Sequence, residues 1–491
     1  MADQAAETKL VDGAHSRLFR SHVLVVVVAI GAALIGIGVS QVVSRAIESG
    51  SAAFGFGAAM GLIVLLAALA TWRFEWFVWA LLAGRPLLDS FTEPETTARA
   101  SVGATRFPID PATAVVLLFI GLSLAWVFVQ HRAGTWLRSS MTTRALIAFA
   151  AIAAIGAPLA WDRAVAVVAV AKIVGGVMMF VVLEQLLTGR PDRARILVIA
   201  VFASAIPPLA VGLWQMFMGV EVAVEPTLTG RIRGTFLHPN TFATYLAFVI
   251  ALGLVLLPML RGAARHAVVA IVGLGCVELL ATGGRGAWVG LVLGLVIALS
   301  RVATRLLVPV LIAVAVVVVA VPSVAGRIAD LNSAEFVDAP GNSAAWRLAY
   351  WERLLPLGQS EPLLGIGIDG ARALPPELFD RPDIFAGRPP HNIWVEAVVE
   401  TGLAGLAALA AVVLCFAADL RRRLRSAAPG FEHHLAAAAI AVSVVALVQS
   451  PVENLLIQPI VWWYLAACAT YGLSSAVQPN RVDQLSNMGV R

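Results

Sequence analysis

The sequence predicts an all-α integral membrane protein, a polytopic helical bundle with one large extracytoplasmic loop. Hydrophobic residues make up 59% of the chain and charged residues 13%, and the mean hydropathy is +0.86. Soluble domains are about 25% charged. Several apolar runs reach the roughly 20 residues that a helix needs to cross a hydrocarbon core of about 30 Å. The runs are continuous rather than alternating, which favours helices over barrel strands. We therefore expect about 12–14 transmembrane helices.

Fourteen apolar segments follow one another along the chain, and Arg85 and Pro86 interrupt the third. We place them at 23–43, 52–72, 74–89, 111–130, 145–161, 164–187, 196–219, 241–260, 267–281, 286–300, 306–322, 393–417, 434–450 and 455–474. The first has no small-residue cleavage site, so we expect a retained helix and not a signal peptide. All three cysteines lie inside apolar segments, which argues against a disulfide or a metal cluster.

Arginines concentrate in alternate short loops, and the positive-inside rule places these loops in the cytoplasm. They are Arg132, Arg138, Arg144, Arg190, Arg193, Arg195, Arg261, Arg265, Arg301, Arg305, Arg421, Arg422, Arg423 and Arg425. The predicted division is a cytoplasmic tail at 1–22, a first part of the bundle at 23–322, an extracytoplasmic loop at 323–392, the last helices at 393–474 and a cytoplasmic tail at 475–491. The net charge of +5 is then mostly a topology signal, so we expect no nucleic-acid partner.

Several arginines fall on the predicted outer side, and three of them flank membrane segments in polar sequence that contains glycine. Arg231 and Arg233 precede the eighth segment, and Arg285 lies in the very short connection between the ninth and tenth. Glycines let the backbone approach a ligand closely, and a guanidinium suits bidentate contact with phosphate. Two separated arginine sites facing one leaflet suggest a diphosphate. The alternative is that these arginines anchor helix ends among lipid head groups.

Only two of the eight histidines, His238 and His391, face outward in this topology. His391 follows Pro389 and Pro390, where the large loop returns to the membrane. Imidazole is the side chain whose ordinary pKa lies near neutrality, so an outward histidine can serve as a general base. His391 is therefore the candidate base, with a helix-capping or interfacial histidine as the alternative. His238 lies in what looks like a tight turn.

These motifs carry a family resemblance. An Arg-x-x-Gly-Thr-Phe-x-x-Pro-Asn pattern begins at Arg231, and Gly-Arg-Gly-Ala-Trp occupies 284–288. Further along are Asn342, Arg347 and Trp351, then Pro-Leu-Leu-Gly-Ile-Gly at 362–367, and then His391-Asn392 followed by Glu396 and Gly402. The order and topological side resemble the O-antigen ligase and Wzy-type polymerase superfamily, most densely from about residue 190 to 410. Gly284 replaces the commoner serine, and fourteen segments slightly exceed the twelve usual among ligases.

The resemblance implies a GT-C-like helical bundle in the bacterial cytoplasmic (inner) membrane. It implies transfer of a glycan from a polyprenyl (undecaprenyl) diphosphate to an acceptor hydroxyl on the outer side, without a metal or another cofactor. Arg231 and Arg285, with Arg233 beside them, would contact the diphosphate, and His391 would be the base. The positions offered as possible substrate contacts are Asn240, Asn392, Lys172, Arg347 and Trp351. The acceptor is lipid A core oligosaccharide in a ligase and another lipid-linked repeat in a polymerase, and the sequence does not distinguish them.

Other patterns leave alternatives open. Glu93 and Glu95 have the spacing of a metal-binding carboxylate pair, although a solvated acidic loop also fits. Lys172 lies within the sixth segment, where a charge is usually paired or functional. It could face Glu184 or an outer-loop carboxylate, or line a donor groove.

The large loop is rich in aromatic side chains, which could stack on sugars or form a small core. They are Trp346, Tyr350 and Trp351, with Trp394 just beyond. A transporter or flippase is the remaining alternative to an enzyme. An enzyme requires His391 and the two arginine sites to converge, whereas a transporter requires a continuous polar path, for which the intramembrane charges are few.

Overall fold

The computed structural model describes residues 65–66, 68–89, 111–136, 139–219, 230–320, 344–427 and 429–473. Within these ranges the regular structure is helical and contains no strand. Nine of the described helices are long and apolar enough to cross a membrane, and two shorter apolar helices accompany them. The predicted fold class, a polytopic all-α membrane protein, is confirmed.

The helices are numbered here in chain order. They are α1 (Phe74–Leu88), α2 (Pro111–Arg132), α3 (Met141–Gly156), α4 (Arg163–Leu187), α5 (Pro191–Met218), α6 (Pro239–Leu256), α7 (Gly262–Ala281), α8 (Arg285–Val302), α9 (Leu307–Ala320), α10 (Ala344–Ser360), α11 (Ile393–Glu400), α12 (Gly402–Ser426), α13 (Phe431–Gln449) and α14 (Pro459–Leu473). A single helical turn, Pro382–Phe385, lies between α10 and α11.

Helix α6 forms the centre of the bundle. It packs against α7, α8, α13 and α14, and nearly all of its side chains are buried. Its sequence is apolar on every side, as expected for a helix surrounded by other helices. It begins with Pro239, whose fixed φ suits the first helical position, and His238 is the N-cap. The N-terminus of α6 therefore opens at the middle of one face of the bundle.

Helices α8 and α13 pack closely through a row of glycines. Gly286, Gly290 and Gly294 are spaced by four residues and so lie on one face of α8. A Cβ at Gly290 would lie 3.0 Å from Val445 Cα, and a Cβ at Gly294 would lie 2.5 Å from the backbone oxygen of Ala441. Small residues at this spacing let membrane helices approach backbone to backbone. The contact aligns the first residue of α8 with the end of α13.

The polar residues between α9 and α11 include a small outer subdomain. Helix α10, the turn Pro382–Phe385 and the loops beside them enclose their own apolar core, formed by Trp346, Tyr350, Leu354, Ala371, Leu374, Phe379, Ile384 and Phe385 together with Val399 of α11. The loop at 365–371 is tied to α11 because Glu400 accepts hydrogen bonds from the backbone N–H groups of Asp369 (2.7 Å) and Ala371 (3.2 Å). The subdomain is thereby fixed to the bundle.

The structure differs from the sequence prediction at the twelfth segment, expected as one helix over 393–417. It is instead divided into α11 and α12, with the break at Thr401 and Gly402. Gly402 has φ +65°, and the position of its missing Cβ is occupied by the backbone of Leu363. The loop after α10 thus packs into the break between α11 and α12. A continuous helix would leave no room for this loop. The predicted segment 23–43 lies outside the described residues, as does most of 52–72.

Contacts between the connections define the two ends of the bundle. At one end Glu75 pairs with Arg193, Glu184 accepts hydrogen bonds from Ser140 and Thr143, and Asp419 accepts two from Thr142. This end carries the arginine-rich loops. At the opposite end lie the start of α6, the connection between α7 and α8, the outer subdomain and the segment between α13 and α14. The candidate residues are at this second end.

Candidate active site

Arg231 lies beside the N-terminus of α6 and is 6% exposed. Its Nε donates to the backbone oxygen of Thr282 at 2.5 Å, and its Nη2 donates to Asn240 Oδ1 at 2.5 Å. The first bond joins the loop before α6 to the end of α7. The second uses a side chain of the first turn of α6. Arg231 is therefore held by two separate elements, with a defined direction for its guanidinium.

Arg285 is the first residue of α8, three residues after Thr282. The connection is tight because Gly283 has φ +64° and a Cβ at Gly284 would lie 2.6 Å from Ala243 Cβ. The contact with Ala243 gives a reason for glycine at 284, where a serine would be crowded. The geometry brings Arg285 to the same face as Arg231.

The outer subdomain brings a further cation to this face. Arg347 on α10 donates from Nη2 to the backbone oxygen of Val452 at 3.1 Å, while its buried Nε has no hydrogen-bond partner in the described part of the chain. Burial lowers the pKa of Arg347, Glu453 raises it, and Arg285 lowers it. The mutual effect of the two arginines shows that Arg285 and Arg347 are neighbours.

His391 lies beside the arginines Arg231, Arg285 and Arg347, which together are called the arginine group. Its backbone has φ +51°, a left-handed conformation that is uncommon outside glycine and is often associated with functional positions. The half-buried imidazole lies edge-on to Trp346 with ring centroids 6.0 Å apart, and it makes no side-chain hydrogen bond within the described residues. Burial lowers its pKa, and the charges of Arg347 and His238 lower it further, followed by those of Arg372 and Arg388. The imidazole is thus neutral at physiological pH and able to accept a proton.

A residue that the sequence analysis did not single out completes the group. Glu453, between α13 and α14, accepts a hydrogen bond from Asn240 Nδ2 at 2.5 Å and is 8% exposed. Burial raises its pKa to about 7, although Arg347, Asn240 and Arg231 oppose the shift. The only sequence signal was an acidic residue in a short outer connection. The site therefore combines arginines from three parts of the chain, one buried carboxylate and one neutral imidazole.

Comparison with known families gives a match over part of the chain. Residues 269–410 match the family model Wzy_C, described as O-antigen ligase. This segment is similar to the O-antigen ligase family. No curated protein matches the chain. The family implies a membrane glycosyltransferase of the ligase or polymerase type. The matched O-antigen ligase segment contains Arg285, Arg347 and His391, whereas Arg231 and Glu453 lie outside it and reach the site through the fold.

Other predicted positions in and around the O-antigen ligase domain have structural partners. Arg233 donates from Nη1 to Leu237 O at 3.2 Å, and burial lowers its pKa. His238 caps α6, accepting from Asn240 N at 3.1 Å through Nδ1. Asn392 caps α11, with its Oδ1 accepting from Trp394 N at 2.9 Å. The caps thus fix the two helix N-termini beside which Asn240 and His391 lie.

The aromatic side chains of the loop divide between core and site. Trp346 and Tyr350 are fully buried in the core of the outer subdomain, so stacking on a sugar in this conformation is excluded for them. Trp351 is half-buried, and its Nε1 donates to Pro390 O at 2.8 Å, which fixes the approach to His391. Trp394 donates to Ser450 Oγ at 3.0 Å.

Two remaining predictions concern acidic and basic residues outside this group. Lys172 is half-buried on α4 and forms no ion pair with Glu184, twelve residues and about 18 Å further along the helix. Glu184 instead accepts from Ser140 and Thr143. Of the three alternatives for Lys172, pairing with Glu184 is therefore excluded in this conformation. Glu93 and Glu95 lie outside the described residues.

Proposed function

We propose that this protein is an O-antigen ligase-like glycosyltransferase of the bacterial cytoplasmic membrane. It moves a glycan from a polyprenyl (undecaprenyl) diphosphate carrier to an acceptor hydroxyl on the periplasmic or outer side. The observation that carries the proposal is the convergence of Arg231, Arg285 and Arg347 beside a neutral imidazole that makes no side-chain hydrogen bond to the described residues. That convergence favours an enzyme over a transporter, which needs a polar path through the bundle instead.

The arginines supply the donor subsite. A glycosyl diphosphate ester carries two negative charges, and guanidinium groups held in fixed directions stabilise them by charge-assisted hydrogen bonds. Arg231 is fixed by Thr282 and Asn240, and Arg347 is fixed by Val452, so little reorganisation is needed on binding. The buried Nε of Arg347 offers a further donor. This site would hold the diphosphate more firmly as charge develops on it.

The reaction is a substitution at the anomeric carbon. The acceptor oxygen forms a bond to that carbon, the bond to the diphosphate oxygen breaks, and the bonding pair leaves with the polyprenyl diphosphate. His391 takes the hydroxyl proton of the acceptor, while the arginines stabilise the leaving diphosphate. The substrate is already activated, so positioning, charge stabilisation and a proton acceptor suffice and the mechanism calls for no metal.

The identity of the acceptor distinguishes a ligase from a polymerase, because both use the same chemistry. In a ligase it is the core oligosaccharide of lipid A, and in a Wzy-type polymerase it is another lipid-linked repeat. The distinguishing experiment is a glycan gel of a strain that lacks the protein. Long chains that remain unattached indicate a ligase, and short unpolymerised repeats indicate a polymerase. An unchanged glycan profile, together with no transfer by purified protein from a synthetic donor to either acceptor, would contradict the proposed function.

A further inference from the structure

Glu453 is linked to Arg231 through a single amide. Its Oε1 accepts from Asn240 Nδ2 at 2.5 Å, and Asn240 Oδ1 accepts from Arg231 Nη2 at 2.5 Å. An amide has one accepting end and one donating end, so a carboxylate on the donating side fixes the accepting side toward the guanidinium. Glu453 therefore determines the direction in which Asn240 holds Arg231.

The segment that carries Glu453 is itself restrained from two sides. Val452 O accepts from Arg347 on α10, and Ser450 O accepts from Ile393 N on α11 at 2.8 Å. In the amide orientation that satisfies both groups, Asn454 Nδ2 donates to Glu396 Oε2 at 2.5 Å and Oε1 at 2.8 Å. One short connection thus contacts the first turn of α6, the outer subdomain and the helix that follows His391.

The charges around Glu453 are mostly positive. Arg231 precedes α6 and Arg347 faces Glu453 from α10, and Arg285 of α8 is next to Arg347. His391 is close to Arg347, and His238, Arg372 and Arg388 are close to His391. From α11, the carboxylate of Glu396 contacts Asn454, the residue after Glu453. Burial raises the pKa of Glu453 to about 7. A second anion among these arginines would repel an ionised Glu453 and favour its protonated form.

On the basis of the proposed function, we propose that Glu453 is the internal counter-charge of the donor site. It orients Arg231 through Asn240, and its carboxylate takes up one proton from the solvent when the donor diphosphate binds. The carboxylic acid keeps an accepting oxygen for Asn240, so the orientation of Arg231 survives the loss of charge. Glu453 is therefore a positioning residue. It is neutralised by protonation when the negative charge of the substrate enters the site.

The test measures donor binding without acceptor, using full-length protein in nanodiscs and a polyprenyl diphosphate disaccharide. Both phosphates of this probe are esterified, so the probe itself does not titrate near neutrality. The His391→Ala background removes the proposed catalytic imidazole, so that its titration does not contribute. With Glu453 present, we expect the affinity to fall about tenfold between pH 6 and pH 8, because an ionised Glu453 must first be protonated. Calorimetry at pH 7 in two buffers with different ionisation enthalpies should show proton uptake.

Glu453→Gln keeps an oxygen for Asn240 but carries no charge. We expect its affinity to change less than twofold over this pH range and its proton uptake to vanish. Glu377→Gln is the matched control, because Glu377 is exposed on the outer subdomain, and it should behave like the parent. Glu453→Asp should retain the pH dependence. Proton uptake by the parent protein needs no variant, so the test does not depend on how well a variant folds.

Different outcomes separate the two proposals. Donor binding that is independent of pH, without proton uptake, would overturn the role of Glu453 and leave the proposed function standing. Proton uptake that persists in Glu453→Gln would likewise overturn the role of Glu453 without affecting the proposed function. Failure of the folded parent protein to bind the donor at any pH would overturn the proposed function, and the role of Glu453 with it.

Discussion

His391 is the residue on which the proposed chemistry depends most directly. Its left-handed backbone, the approach through Pro389 and Pro390, and the bond from Trp351 to Pro390 present the imidazole to the arginine group. We predict that His391→Ala abolishes transfer while donor binding is preserved, because the arginines hold the diphosphate. An assay of the purified enzyme with synthetic donor and acceptor checks this. Wild-type turnover by His391→Ala would contradict the role of base.

The pH dependence of the same assay gives a second prediction. An imidazolium has no lone pair to accept a proton, so activity should fall as the pH drops through the pKa of His391. Burial lowers that pKa, and therefore activity should persist to a lower pH than an ordinary histidine with a pKa of about 6.5 would allow. An acidic limb of the kcat profile above the ordinary value would contradict this assignment.

The arginines allow a prediction about charge and geometry together. Arg231→Ala and Arg285→Ala should each weaken transition-state stabilisation by about 2–4 kcal/mol, as with other preorganised charge stabilisers. Lysine should restore activity only partly, because it lacks the planar fork. The measurement is kcat/KM for the donor, with the amount of folded protein checked by size-exclusion chromatography. Near-normal values for both alanine variants would leave these arginines as lipid anchors.

At the residue scale, the sequence points to side chains whose type carries its own chemistry. Two outward arginine motifs and one outward histidine after a pair of prolines are unusual in apolar sequence, and the fold brings them together. Glu453 could not be found in this way because its partner Asn240 is distant in sequence. The sequence could not decide whether the aromatic residues stack on sugars or form a core. Burial of Trp346 and Tyr350 depends on the tertiary packing of the outer subdomain.

The contact between α8 and α13 gives a prediction at the scale of elements. Gly294→Val should destabilise the protein by about 1–3 kcal/mol, because even a Cβ meets the backbone oxygen of Ala441. Gly273→Val is the matched control, since a Cβ on that exposed glycine of α7 meets nothing within 4 Å. Thermal unfolding in detergent measures both. Equal midpoints for the two variants would contradict the close packing.

The apolar runs largely predict where the helices lie along the chain. They predict the first and last residues of the helices less well. Helix α3 begins at Met141, earlier than the predicted start at 145, because Ser140 caps it by accepting from Thr143 N. The division of the twelfth segment into α11 and α12 depends on Leu363 packing against Gly402 from forty residues away. Hydropathy reports only the cost of burying a segment in lipid, and it does not register such contacts.

The orientation of the whole molecule gives the last prediction. A cysteine replacing Glu377 should react with an impermeant thiol reagent added to intact spheroplasts, whereas one replacing Arg421 should react only after permeabilisation. Both side chains are exposed, and the positive-inside rule places them on opposite sides. The native cysteines are replaced by alanine first. Equal labelling of the two positions in intact spheroplasts would contradict the proposed topology.

The connection between α13 and α14 also has a consequence for biosynthesis. Arg231, Arg285 and His391 are all translated before Glu453 and the segment that contacts Arg347, α11 and Asn240. A nascent chain that has inserted α12 but not α13 therefore has its reactive side chains in the membrane without the support that orients them. Under the proposed function, activity would be acquired only when insertion is complete, and an unfinished chain would leave the lipid-linked donor unused.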